Sequence, residues 1–203
     1  MFVALRWTEV SSKLRGTLMF KAVLIGDAAV GKTSIRRKYL GKGFISSHIA
    51  TIGVDFAQKT VKVDDQPVQI VIWDLAGQEG YGKVRAHYYQ GCSAIILVYD
   101  ITNRTSFVNA YAWLAESLKH TEEVPPIAVL GNKADLRTPE NVLDLVTYEE
   151  GAAFTDTLCE KLDVPAIFFE TSAKNGENIQ ESFTDLTRIM IARFEIEQWK
   201  KKK

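Results

Sequence analysis

From Phe20 onward the chain repeats one device, a short apolar run followed by a segment whose apolar residues recur with helical period. Strands separated by helices are joined by crossovers rather than hairpins, so the pattern specifies βαβ units and a mostly parallel sheet covered on both faces. The runs Phe20–Ile25, Val54–Val63, Val68–Trp73, Ala94–Tyr99, Ile127–Leu130 and Ile167–Phe169 have the length and apolar density of buried strands. Asp64-Asp65-Gln66-Pro67 leaves room only for a hairpin between the second and third, which makes that pair antiparallel and the others parallel. Helices are expected over Lys32–Leu40, Gly82–Tyr89, Ser106–Lys119, Tyr148–Lys161 and Asn178–Gln198. The reading is an α/β fold in three layers, a six-stranded mixed sheet with one antiparallel strand and about five helices, without internal repeat or interdomain linker.

A chain of 203 residues, 46% hydrophobic and 25% charged, can bury such a core in one domain. Its 25 Lys plus Arg balance 25 Asp plus Glu, so it lacks the bulk positive field that draws nucleic acid. Cys92 and Cys159 form no metal-type cluster and cannot staple a fold of this size, which fits a reducing cytoplasm. The longest apolar runs fall far short of the roughly 20 residues of a membrane-spanning helix. Met1–Leu18, interrupted by Arg6, Glu9, Lys13 and Arg15, has no apolar centre of the kind a secretory signal needs.

Directly after the first strand stands Gly26-Asp27-Ala28-Ala29-Val30-Gly31-Lys32-Thr33, a full match to G-x-x-x-x-G-K-S/T in strand-to-helix context. Such a loop turns backbone N–H groups inward around phosphate oxygens, and the helix behind it aims its N-terminal dipole at the anion. The expected cradle comprises Asp27, Ala28, Ala29, Val30, Gly31, Lys32, Thr33 and Ser34, with Lys32 reaching the β and γ phosphates and Thr33 offering a hydroxyl to Mg²⁺. Two later segments, Asn132-Lys133-Ala134-Asp135 and Thr171-Ser172-Ala173-Lys174, follow strands and so lie at carboxyl ends, where open α/β sheets place ligands. The two oxygens of Asp135 suit the ring N–H and exocyclic amine of guanine, a donor pair that adenine lacks.

With these motifs the chain resembles the Ras superfamily of small GTPases, most closely its Rab-like branch, over about residues 20–198. The resemblance rests on the phosphate loop, Thr51-Ile52-Gly53-Val54-Asp55-Phe56, Trp73-Asp74-Leu75-Ala76-Gly77-Gln78-Glu79, Asn132-Lys133-Ala134-Asp135 and Ser172-Ala173-Lys174, in family order. It implies that Thr51 closes a first switch on Mg²⁺ and the γ-phosphate, and that Asp74 holds Mg²⁺ through water. Phe44 packs on guanine, Lys133 flanks the base, Ala173 gives its N–H to the guanine carbonyl, and Ser172 and Lys174 complete that loop. Gly77 donates its N–H to the γ-phosphate, and Gln78 orients the attacking water, the step that positioning can accelerate. The implied protein is a monomeric switch that binds GTP or GDP with Mg²⁺ and hydrolyses GTP slowly. Effector proteins, an exchange factor and an activating protein are its implied partners, with membrane trafficking or signalling as the setting. No arginine finger is identifiable within the chain.

Several positions depart from that pattern. Ala28 and Ala29 replace the Gly or Ser of many relatives, and a methyl group at Ala28 either crowds the space of Gln78 or is accommodated without effect. A GTP-locked interaction module with little hydrolysis is therefore a second reading, and a P-loop small-molecule kinase a third that leaves Asp135 and Gln78 without a role. His48 stands where a tyrosine is common, as a solvated loop residue. The loop Arg137–Tyr148 is longer than in close relatives, and loops tolerate such insertions cheaply. Residues 199–203, Trp199 and four lysines, form a tail without a cysteine for a prenyl anchor. Residues 1–18 form an extension whose Val3, Trp7, Val10, Leu14 and Leu18 fall within an arc of about 80° on a helical wheel. That stripe either lies on a membrane, packs in a groove of the domain 19–198, or precedes a true start at Met19. The protein is placed in the cytoplasm, with any membrane contact peripheral.

Overall fold

The computed structural model describes residues 16–44, 51, 53–77, 82–138 and 145–202, with 82–84 described in backbone only. The elements are β1 (Leu18–Ile25), α1 (Lys32–Tyr39), β2 (Val54–Val63), β3 (Gln66–Leu75), α2 (Gly82–Tyr89) and β4 (Ala94–Asp100). They continue with α3 (Arg104–Leu118), β5 (Ile127–Asn132), a 3₁₀ turn (Ala134–Leu136), α4 (Tyr148–Leu162), β6 (Ala166–Thr171) and α5 (Ile179–Lys201). The six strands lie in the order β2-β3-β1-β4-β5-β6, and only β2 and β3 run antiparallel.

Alternation along β1 shows why the sheet sits in the middle. Phe20, Ala22 and Leu24 face one layer, where they meet Ile35 and Tyr39 of α1 and Phe183, Leu186 and Met190 of α5. Val23 and Ile25 face the other, against Ala110 and Leu114 of α3 and Leu158 of α4. The central strands β4 and β5 are buried at every position, covered on both sides, which is why they read as apolar runs. Because β1 has β3 on one side and β4 on the other, chain order reverses across it, and the loop after β1 opens at the carboxyl edge where ligands gather in open sheets.

Several boundaries differ from the sequence reading, each for a visible reason. The hairpin turn is only Asp64-Asp65, with φ of 46° and 71°, so Gln66 and Pro67 join β3 and Val63 pairs with Gln66. A two-residue turn with both φ positive matches the twist of the strands, and Asp tolerates that conformation better than most residues. Helix α3 starts at Arg104, two residues early, because the Asn103 side chain accepts from the Thr105 and Ser106 N–H groups. Leu18 belongs to β1, so the N-terminal extension ends before it. Helix α5 runs through Trp199 to Lys201, so most of the expected tail is helix, with cations where the helix dipole favours them. The rest of the 1–18 stripe, His48, Gln78 and residues 139–144 of the long loop before α4 lie outside the described residues. Among the described residues no helix is long and apolar enough to cross a membrane, and both cysteines are free.

Candidate functional site

The loop between β1 and α1 has φ of 135° at Gly26 and 102° at Gly31. Glycine is required there twice over, since a Cβ on Gly26 would stand 2.1 Å from the Val98 carbonyl oxygen and one on Gly31 would stand 2.2 Å from Asn132 Nδ2. Ala29 also adopts a positive φ, 63°, a conformation that its methyl group disfavours and that no local sequence signal announces. Lys32 is only 7% exposed. Its ammonium donates to the Gly26 and Asp27 carbonyl oxygens, at 2.7 Å each, and burial lowers its pKa to about 8. An anion entering the loop would offer this buried cation the counter-charge it lacks.

One residue further along α1, Thr33 Oγ1 donates to Asp74 Oδ2 at 2.5 Å and lies 2.8 Å from Thr51 Oγ1. Asp74, at the end of β3, is fully buried, and its Oδ1 has no hydrogen-bond partner. Burial pushes its carboxyl above the usual carboxylate range, against the pull of the Thr33 hydroxyl. Arg36, a turn beyond Lys32, is the residue that sequence reasoning missed: it pairs with Asp55 on β2 and stands 3.7 Å from Asp74 Oδ2. Its spacing of four from Lys32 on the buried face of α1 was the available signal.

Across the sheet, β5 and β6 run on to Asn132 and Thr171, which makes both motif residues strand ends. The Asn132 amide, 1% exposed, donates to the Val30 carbonyl at 2.8 Å. Its oxygen accepts from Ala173 N at 3.2 Å and Thr171 Oγ1 at 3.3 Å. The N–H of Ala173, expected to be open for a ligand carbonyl, is thus already engaged and would have to be shared. Lys133, at φ 71°, pairs with Asp100 at 2.5 Å. Asp135 sits on the 3₁₀ turn, where Ser172 Oγ donates to its Oδ1 at 2.5 Å and Lys174 Nζ lies 3.7 Å from Oδ2.

Of the other expected residues, Gly77 leaves β3 pressed against the phosphate loop, for a Cβ there would stand 2.5 Å from the Asp27 carbonyl carbon. Ala28 is exposed, Ser34 lies in the first turn of α1, and Phe44 is 47% exposed on the segment after that helix. An aromatic row also escaped the sequence reading. Phe56 of β2, 61% exposed, stacks on Trp73 of β3 at 5.2 Å, and Trp73 meets Tyr88 of α2 at 5.1 Å between ring centroids. The signal was an aromatic residue on a strand face that continues as Gln58, Thr60 and Lys62.

The loop and strand-end motifs therefore line one edge of the sheet, and over residues 21–192 the sequence matches the Ras family. The chain belongs to the Ras family. It is 38% identical over 175 residues to the Ras-related protein RABD2c of Arabidopsis thaliana, a likeness that spans 86% of this chain and 82% of that one. As a Ras-family member of the Rab-like kind it is a small GTPase switch, with guanine nucleotide as its ligand class. The left-handed Ala29 is then a feature of this Ras-family chain's own phosphate loop.

Proposed function

We propose that the chain binds GTP and GDP with Mg²⁺ at the carboxyl edge of β1, β3, β5 and β6, hydrolyses GTP slowly unaided, and signals through the segments around Thr51 and Gly77. The observation that supports this best is the buried Asn132 side chain, which bonds Val30 of the phosphate loop and Ala173 of the last loop at once. Phosphate and base contacts then belong to one continuous cradle. Asp135, steadied by Ser172, takes the two guanine donors, Lys133 and Phe44 flank the base, and the loop from Asp27 to Ser34 wraps the phosphates. Lys32 exchanges its two carbonyl acceptors for phosphate oxygens.

Thr33, Thr51 and Asp74 form an all-oxygen donor set with an unpartnered Asp74 oxygen, which suits a hard divalent cation. Thr33 and Thr51 would hold Mg²⁺ directly and Asp74 through water. When bound, the ion neutralises charge on the phosphates. Gly77 meets the γ-phosphate and Gln78 orients the water, so loss of that phosphate frees both segments and changes the surface that an effector reads. The exposed Phe56, stacked on the half-buried Trp73 and through it on Tyr88, adjoins those segments and offers a partner an apolar contact. An exchange factor and an activating protein complete the cycle, and the protein works as a monomer in the cytoplasm or at a membrane surface.

The test is to identify the nucleotide carried through native purification and to follow single-turnover hydrolysis in the same sample. Guanine nucleotide with slow release of phosphate is expected. Bound GTP without turnover would favour the locked module, phosphate transfer to an acceptor would indicate a kinase, and an adenine nucleotide would overturn the reading.

A further inference from the structure

The Asp27 carboxylate is held by α3, away from the cradle that the backbone of its loop forms. Trp113 Nε1 donates to Oδ1 at 2.5 Å and Asn109 Nδ2 to Oδ2 at 2.8 Å. These two donors are four residues apart, so one face of the helix grips both oxygens. The Trp113 ring also carries the Arg85 guanidinium on its face, 4.5 Å from the centroid. Arg85, from α2 and only 4% exposed, donates to the Ala76 carbonyl at 3.1 Å and to both oxygens of Glu116 at 2.8 Å each. Ala76 leads into Gly77, which rests on the Asp27–Ala28 peptide. The contacts close into a ring that runs Asp27, Trp113, Arg85, Ala76, Gly77 and back to Asp27.

We propose that Trp113 is a positioning residue that sets the gap between the phosphate loop and Gly77, and so tunes the preference for GTP over GDP. The inference rests on the proposed contact of Gly77 with the γ-phosphate. Only GTP reaches into that gap, and a change there alters affinity only for the nucleotide that makes differential contact with it. The indole suits the task because it is a rigid plate with a donor at one edge and a π face for a guanidinium, whose attraction strengthens as water is excluded. Loop and α2 are thereby referenced to the same side chain rather than to each other through solvent.

The experiment compares affinities of the full chain for GDP and for a non-hydrolysable GTP analogue with Mg²⁺. Trp113→Phe keeps a ring face for Arg85 and deletes the donor to Asp27. The GTP-analogue to GDP affinity ratio should fall about fivefold, the low end of ordinary coupling between sites, with GDP affinity and the melting temperature of the GDP form nearly unchanged. Asn109→Ala leaves the indole in place and should move the ratio the same way, which keeps the test open if Trp113→Phe folds poorly. In a double-mutant cycle, Arg85→Lys and Trp113→Phe should be non-additive in that ratio. An unchanged ratio, or equal loss for both nucleotides, makes Trp113 mere packing and overturns the inference while the nucleotide reading stands. Failure of the unaltered chain to bind either guanine nucleotide would instead sink the reading on which the inference rests.

Discussion

Replacement of Asn132 by alanine tests whether the phosphate and base halves of the site are one object. The side chain makes three buried hydrogen bonds, to Val30, Ala173 and Thr171. Alanine would strand the Val30 carbonyl and the Ala173 N–H, and each buried backbone group left without a partner costs about 1–3 kcal/mol. The void beside Gly31, now filled by the amide, admits some water, which trims the sum to about 3–4 kcal/mol. For a domain of this size that is a fall in melting temperature of roughly 10 °C. The measurement is thermal and urea unfolding at a fixed excess of GDP, because bound nucleotide adds to apparent stability. Affinity for GDP should fall as well, since the mutation loosens both loops. Asn132→Asp is the companion variant: it keeps an acceptor for Ala173 but sets a carboxylate oxygen against the Val30 carbonyl, and should not restore stability. A loss below about 1 kcal/mol, or weaker binding with unchanged stability, would make Asn132 a ligand contact rather than a joint, and the reasoning would be wrong.

Asp135→Asn should weaken guanine binding and shift preference toward xanthine, whose carbonyl complements an amide donor; competition binding with the two nucleotides checks this, and an unchanged preference refutes it. If Gln78 orients the water as proposed, Gln78→Leu should leave GTP affinity nearly intact and lower the single-turnover rate; equal loss of affinity and rate would remove Gln78 from the chemistry. The Arg104 ion pair and the Thr147 N–H hold the Glu150 carboxyl down at about 2, from an ordinary 4.5. With the folded value below the unfolded one, the stabilisation is complete above pH 4.5 and is lost as pH falls toward 2. Glu150→Gln keeps the capping geometry, so at pH 7 it should cost less than about 1 kcal/mol for this partly exposed pair, and the gap from the unaltered chain in urea unfolding should close through that window. A gap that ignores pH would refute the assignment.

The sheet was legible because strands buried on both faces must be apolar throughout, and β4 and β5 have no other way to be read. The phosphate loop was legible because glycine is forced where backbone meets the Val98 carbonyl and the Asn132 amide. What stayed hidden depends on tertiary partners. The grip of Asn109 on Asp27 spans 82 positions, beyond any local period. Arg36 reads as one more basic residue on α1 until Asp55 and Asp74 converge on it. Ala29 shows no preference for the conformation it holds, and the engagement of the Ala173 N–H appears only when β5 and β6 stand side by side. The start of α3 was written plainly in Asn103, an N-cap signal passed over for the apolar period that follows it.

The antiparallel pair has a mechanical meaning. Val54 at the start of β2 is in register with Leu75 at the end of β3, and Ala76 N–H donates to the Gly53 carbonyl at 2.9 Å. The segments carrying Thr51 and Gly77 therefore leave the sheet from one shared hinge pin. With the two segments rooted in this way, moving one strains the hydrogen bond that roots the other. A protein that grasps only the Thr51 arm would thus bias the Gly77 arm without touching it, and a ligand that unseats either would loosen both together.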